Sequence, residues 1–198
     1  MQRRQYAAVA VVLRETDGVP EVLFIERAQR EGDPWSGHMA FPGGRVDPGD
    51  EHARSAAERE TLEEVGVDLA NAEVLGRLDD LQGRHAAAPE RAMVISAFVY
   101  RVSDPKPLRP NWEVEHAFWF PLTSLFEAER QVEYTLTQRG GLRFPGILVG
   151  EPERHVVWGL TYRFLEIFFE IVGRPLPNRW GSGDVVERST SATEGGRS

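Results

Sequence analysis

Residues 43–67 read GGRVDPGDEHARSAAERETLEEVGV: a glycine pair, an acidic loop and a run of strong helix formers without proline. The composition predicts a helix from about Glu51 to Val65, with Asp50 as N-cap and Gly66 as the stop. Glu60, Glu63 and Glu64 then stand at i, i+3 and i+4, which places three carboxylates within an arc of about 100°. Like charges at that spacing repel by a few tenths of a kcal/mol per pair, so a cation is needed to offset them. Ala53, Ala56 and Ala57 continue the stripe toward the N-terminus, small enough for the helix to lie close on a sheet. A carboxylate-only donor set suits Mg²⁺ or Mn²⁺ and not zinc. The competing reading is a charged surface helix; the glycine pair before the helix and the glycine after it favour the metal site.

The same residues resemble the Nudix box, whose pattern is glycine, five residues, glutamate, seven residues, then Arg-Glu-aliphatic-x-Glu-Glu-x-Gly-aliphatic. Arg59, Glu60, Glu63, Glu64, Gly66 and Val67 match in register, and Thr61 occupies the first aliphatic position. Glu51 has the right distance to Arg59 but lies one residue too far from Gly44; Asp50 has the right distance to Gly44 and the wrong one to Arg59. The wider FPGGRVDPGD is similar to the coenzyme A pyrophosphatase subfamily, where the acid after the turn is usually aspartate, and this favours Asp50. GDPWSGHMAFPGG, LDDLQGR and VVWGLTYRFLE extend the resemblance over most of residues 5 to 175. The subfamily's arginine-rich leader before the glycine turn is not found; QREGDPWSGHMA stands there instead.

The chain has 198 residues, enough for one domain with a substantial core, and a formal net charge of −8 with no basic run. Such a chain is not expected to grip duplex nucleic acid, so its phosphate-bearing partner should be small and metal-bridged. There is no cysteine, which excludes disulfides, thiolate metal sites and a cysteine nucleophile. It also argues against isopentenyl-diphosphate isomerase chemistry, which within this fold relies on a cysteine. The apolar run Tyr6 to Leu13 is short for a leader and is followed by Arg14, Glu15 and Asp17; it reads as a buried strand paired through the turn TDGVP with Glu21 to Glu26. No stretch has membrane-spanning length, and a cytoplasmic protein is expected.

Downstream, Glu73 to Leu81 and Met93 to Val102 read as strands, the second central, with QGRHAAAPER as a loop between them. Asn111 to Arg130 reads as a strand feeding a short helix through Pro121, Gln131 to Thr137 as a strand, GGLRFPG as a turn, and Gly146 to Val149 as a short extended run. Leu160 to Val172 reads as a mostly buried helix in which Arg163, Glu166 and Glu170 form one narrow polar stripe, packed on the sheet or on a second subunit of a homodimer. One domain is expected over residues 1–177, followed by a Ser-, Thr- and Gly-rich tail over 178–198. The class is α+β, and the resemblance makes it the Nudix-type α/β/α sandwich with a mixed sheet.

The resemblance implies a pyrophosphohydrolase acting on a nucleoside diphosphate linked to another group, with coenzyme A and its thioesters leading and ADP-ribose, NADH or a dinucleoside polyphosphate as alternatives. A non-catalytic Nudix ligand-binding module is the remaining class. Glu60 and Glu64 are expected as principal metal ligands, Glu63 as a shared ligand or supporting acid, and a backbone carbonyl of the glycine turn, Gly44, as a further ligand. Arg59 is expected to orient a glutamate through its planar fork. Glu113 and Glu115 are candidates for a distal carboxylate, and the general base is either a box glutamate or an acid such as Glu115. Trp35 and His38 either line the substrate pocket or cap the core. Arg27, Arg30, Arg45 and Arg84 are the candidate cations for substrate phosphates.

Overall fold

The computed structural model describes residues 5–31, 35–85, 88–136 and 141–178, with the side chains of 84, 85 and 88–92 outside that description. Residues 179–198 of the expected tail also lie outside it. The elements run β1 (Gln5–Thr16), β2 (Val19–Arg27), β3 (Met39–Ala40), β4 (Gly43–Arg45), α1 (Ala53–Val65), β5 (Glu73–Arg77), β6 (Leu81–His85), β7 (Ala88–Arg101), β8 (Val114–Pro121), β9 (Gln131–Leu136), β10 (Leu142–Leu148), β11 (Val156–Val157) and α2 (Gly159–Ile171). Two short 3₁₀ turns, Leu122–Phe126 and Ala128–Arg130, join β8 to β9.

The main sheet has the order β3-β2-β1-β7-β5, with β4 pairing β1, β6 pairing β7 and β8 pairing β2. β1 runs parallel to β7 while its other neighbours are antiparallel, so the sheet is mixed. Side-chain alternation along the central strands feeds two cores. Ala8, Ala10 and Val12 of β1, with Leu23, Ile25, Phe98 and Tyr100, face α1 through Ala56, Ala57 and Val65. Val11, Val22, Phe24, Ala97 and Val99 face the other way, onto Tyr162, Phe164, Leu165 and Phe169 of α2. Each large apolar side chain buried there contributes about 1.5–3 kcal/mol. Helices on both faces of a mixed sheet form the expected α/β/α sandwich. Alanines at the α1 contact let that helix sit close, and Thr61 is tolerated in the buried aliphatic slot because its hydroxyl donates to the Ala57 carbonyl at 2.7 Å.

Several local expectations change. His52, not Asp50, caps α1: its Nδ1 accepts the Ser55 N–H at 3.0 Å, and helix begins only at Ala53. Gly66 does end the helix, at φ 73° with its N–H on the Leu62 carbonyl. The expected loop QGRHAAAPER is largely strand, because β6 pairs along β7 from Leu81↔Ile95 to His85↔Ala88. The single strand expected over 73–81 is divided into β5 and β6. GGLRFPG was expected to turn; instead Leu142–Leu148 is a strand, Pro145 included, held by its pairing with β9. In α2 the polar stripe does not face solvent as a whole, since Glu166 is buried and ion-paired with Arg163.

A second sheet, β11-β10-β9, packs against α2 and β3, and a cavity of about 950 Å³ lies between the box and the start of α2. Among the described residues, no helix is long and apolar enough to cross a membrane.

Candidate metal and substrate site

α1 carries the site because its C-terminal half projects Glu60 and Glu64 into the cavity from the same face that Gly43 and Gly44 approach. Glu64 is 3% exposed and its Oε2 accepts the Gly43 N–H at 2.9 Å. Glu60 lies against Gly44 so closely that a β-carbon there would fall 2.4 Å from its Oε1. The third carboxylate is Glu113, just ahead of β8. Carboxylate oxygens of Glu60, Glu64 and Glu113 lie within 4.8 Å of one another. Glu113 arrives there because the preceding segment closes the end of α1: the Arg109 N–H donates to the Val65 carbonyl and the Asn111 N–H to that of Glu64, both at 2.9 Å. Asn111 Oδ1 then accepts the Glu113 N–H at 2.8 Å.

Glu63, expected as a shared ligand or a supporting acid, stands outside the cluster, and its half-exposed side chain meets Arg59 at 3.2 Å. Glu115 stands apart from the cluster and pairs with Arg154 at 3.8 Å, so the distal acid beside the box is Glu113. Arg59 is the organiser. Its Nε and Nη2 fork onto Asp50 at 3.0 and 3.1 Å, Nη1 reaches Glu60 at 3.0 Å, and Nη2 also donates to the Arg45 carbonyl at 3.3 Å. Of the two acids that competed for the first box position, Asp50 is therefore the one engaged, and Glu51 is exposed.

Electrostatics follows burial. Desolvation pushes the Glu64 carboxyl up to about 8, outweighing the Gly43 hydrogen bond and the attraction of Arg27. Burial also raises Glu60, against the pull of Arg59, with Glu63 and Glu113 adding to the rise. Asp50 shifts the other way, because the Arg59 hydrogen bonds stabilise its charged form. Glu60 and Glu64, which burial makes reluctant to lose their protons, are what a divalent cation relieves, and an all-oxygen donor set fits a hard ion.

A second cluster has a different character. Glu26 Oε2 lies 2.8 Å from His116 Nδ1 and 3.2 Å from His155 Nε2, but Oε1 already accepts Arg154 Nε at 2.8 Å. His155 Nδ1 accepts the Glu151 N–H at 2.9 Å, so the ring proton sits on Nε2 and points at Glu26. A metal at Nε2 would force a proton onto Nδ1 against that backbone donor; the cluster is an ion-paired clasp, not a metal centre.

Arg27, Arg30, Arg45, Trp35 and His38 all line the cavity; the side chain of Arg84 lies outside the described residues. A further aromatic, Trp158, also lines the cavity; it stacks on Tyr134 at 4.0 Å and meets His38 edge-on at 5.0 Å. Its role in the wall comes from its place at the junction of β11 and α2, where it caps the helix.

A NUDIX domain model matches residues 3–139. The human mitochondrial coenzyme A diphosphatase NUDT8 is 36% identical over 171 residues, covering 84% of this chain and 69% of that protein. Its mouse counterpart is 33% identical, covering 84% and 77% respectively. Among solved structures, a binary complex of the Caenorhabditis elegans Ap4A hydrolase superposes with a TM-score of 0.52 at 23% identity, covering 63% of this chain and 88% of that one, a likeness of fold. With the box residues gathered as described and the domain model spanning most of the chain, the protein belongs to the NUDIX family of pyrophosphohydrolases.

Proposed function

We propose that the protein hydrolyses the diphosphate of coenzyme A or its thioesters, using Mg²⁺ or Mn²⁺ held by Glu60, Glu64 and Glu113. The observation that carries the reading is the convergence of these three carboxylates on a cavity also lined by Arg27, Arg30 and Arg45. A bound divalent cation supplies neutralisation of the diphosphate oxygens and a lowered pKa for the attacking water. The chain's own residues do the rest. Gly43 N–H fixes Glu64, Arg59 holds Glu60 and Asp50 in place, and the cavity arginines offset the charge of the phosphates. Water adds to one phosphorus, its proton passes to a carboxylate of the cluster, and the bridging P–O bond breaks with the second phosphate as leaving group. Trp35, His38 and Trp158 form an aromatic wall suited to the organic part of the substrate. Coenzyme A leads because the relatives named above carry that activity in their names and cover most of this chain.

The deciding experiment offers coenzyme A, ADP-ribose, NADH and a dinucleoside polyphosphate at equal concentration with Mg²⁺ or Mn²⁺, and identifies products by mass spectrometry. Adenosine 3′,5′-bisphosphate and 4′-phosphopantetheine are expected. Glu64→Gln should lower turnover ~10²-fold or more, about 3 kcal/mol. Turnover undiminished in EDTA sinks the metal reading, and faster cleavage of another substrate reassigns the specificity.

A homodimer through α2 has a narrower basis than its sequence suggested, because the helix spends most of its apolar surface on its own core and exposes Ile171 and Val172 at its end; light scattering at micromolar concentration tests it. A cytoplasmic location is part of the same proposal, and cell fractionation tests it.

A further inference from the structure

Arg30 is held in two ways at once. Its backbone is braced by Ser36, whose hydroxyl accepts the Arg30 N–H and donates to the Arg30 carbonyl, both at 2.9 Å. Its guanidinium lies 4.0 Å over the ring of Trp112 and places Nη2 2.7 Å from Glu113 Oε1. Glu113 is also one of the three clustered carboxylates, and Arg30 lines the same cavity. One carboxylate thus has two claimants: a guanidinium, and a divalent cation when the site is loaded. An arginine side chain on a fixed backbone can exchange one oxyanion for another without moving the loop, and phosphate matches its fork as well as carboxylate does.

Building on the metal-site reading above, we infer that Arg30 is a substrate-phosphate residue kept in reserve by Glu113: cation binding takes Glu113 and releases Arg30 onto the diphosphate. The pair keeps Glu113 neutralised and aimed at the cluster until a cation binds. It also makes phosphate recognition conditional on the cation, since the guanidinium becomes available only when the cation has replaced it. Both side chains are about one-third exposed, so the exchange has a modest cost.

Substitution of Arg30 should affect cation and phosphate binding in opposite directions. Arg30→Met should bind Mn²⁺ more tightly than wild type, roughly 3- to 10-fold by calorimetry or electron paramagnetic resonance, because a competitor for Glu113 is gone. The same variant, loaded with Mn²⁺, should bind methylenediphosphonate about 10-fold or more weakly, the scale of one lost charge-assisted hydrogen bond. Arg45→Met removes a positive charge from the same cavity without touching Glu113, and should leave Mn²⁺ affinity closer to wild type. Mn²⁺ should alter tryptophan emission in the wild type, and Trp112→Phe should abolish that part of the change, since Arg30 leaves the Trp112 ring. Diamagnetic Mg²⁺ serves as the control for quenching by manganese. If wild type takes up Mn²⁺ and Arg30→Met binds it no more tightly, or gains no more than Arg45→Met does, the exchange is overturned while the metal site stands. If Arg30→Met binds the diphosphonate as well as wild type, the phosphate role is overturned. A wild type that takes up no divalent cation overturns both this inference and the hydrolase site on which it rests.

Discussion

Gly43 and Gly44 are adjacent and identical in sequence, yet the structure uses them for different purposes. Gly43 has φ 152°, and a β-carbon on it would lie 2.3 Å from the Ala8 carbonyl oxygen and 2.6 Å from the Val9 α-carbon. Those are backbone atoms of the central strand, with no means of moving aside. Gly44 has no such backbone conflict; its β-carbon would meet the carboxylate end of Glu60, 2.4 Å from Oε1 and 2.5 Å from Cδ. The end of a glutamate can rotate away. Gly43→Ala is therefore expected to destabilise the fold by about 3 kcal/mol or more, read from denaturant unfolding. Gly44→Ala should fold with nearly wild-type stability but lose about 10-fold or more in Mn²⁺ affinity, because it displaces Glu60 from the cluster. Equal losses of stability in the two variants would show that the second glycine is structural as well. The role expected for Gly44, a backbone carbonyl toward the metal, is thereby complemented by a steric one: it leaves room for the carboxylate.

At the scale of elements, α1 shows what was legible and what was not. Helix formers, the spacing of Glu60 and Glu64, and Gly66 as the stop are local facts, and all three could be read from residues 53–66. The cap was misread because Asp50 is drawn off to Arg59, a partner nine positions away, which leaves His52 to accept the Ser55 N–H. The third carboxylate was legible only as one of two, since choosing Glu113 over Glu115 requires knowing that 109–111 docks on the end of α1. Strands β6 and β10 were hidden for the same reason: their pairing with β7 and β9 overrides glycine, alanine and proline content that reads as loop. The docking segment offers its own test. Asn111→Ala deletes the side-chain oxygen that accepts the Glu113 N–H but keeps the backbone donor to the Glu64 carbonyl. It should cost about 1 kcal/mol in stability while lowering Mn²⁺ affinity severalfold, because the segment stays docked and only the approach of Glu113 loosens. An unchanged affinity would mean that Glu113 is positioned by β8 alone.

Across the whole molecule, the cavity has one wall built by the sandwich and another by the segment that leads into α2, and the Glu26 clasp joins the two. Glu26 lies one residue before the cavity-lining Arg27; Arg154 and His155 lie just ahead of β11 and the cavity-lining Trp158. The Glu26 side chain is 4% exposed, and burial alone would raise its pKa. The Arg154 hydrogen bond, followed by those of His116 and His155, reverses that and holds the carboxyl below its ordinary 4.5. A carboxylate that binds its proton more weakly in the fold than in the unfolded chain adds stability above the ordinary range and loses it as pH falls through the depressed value. Glu26→Gln should therefore destabilise at pH 7 by about 1–2 kcal/mol, toward the low end because Arg154 is 39% exposed and regains water. The gap between wild type and variant should stay level above about pH 5 and close as the pH drops below 4.5, where wild-type Glu26 takes up its own proton. Chemical denaturation at pH 7, 5 and 3.5 measures the gap directly. Because the clasp carries Trp158 rather than the carboxylates, the same variant should raise KM for an aromatic-bearing substrate while leaving kcat within about twofold. A gap that persists undiminished at pH 3.5 would assign the effect to packing instead of charge, and a fall in kcat with KM unchanged would place the influence of the clasp on the metal end of the cavity.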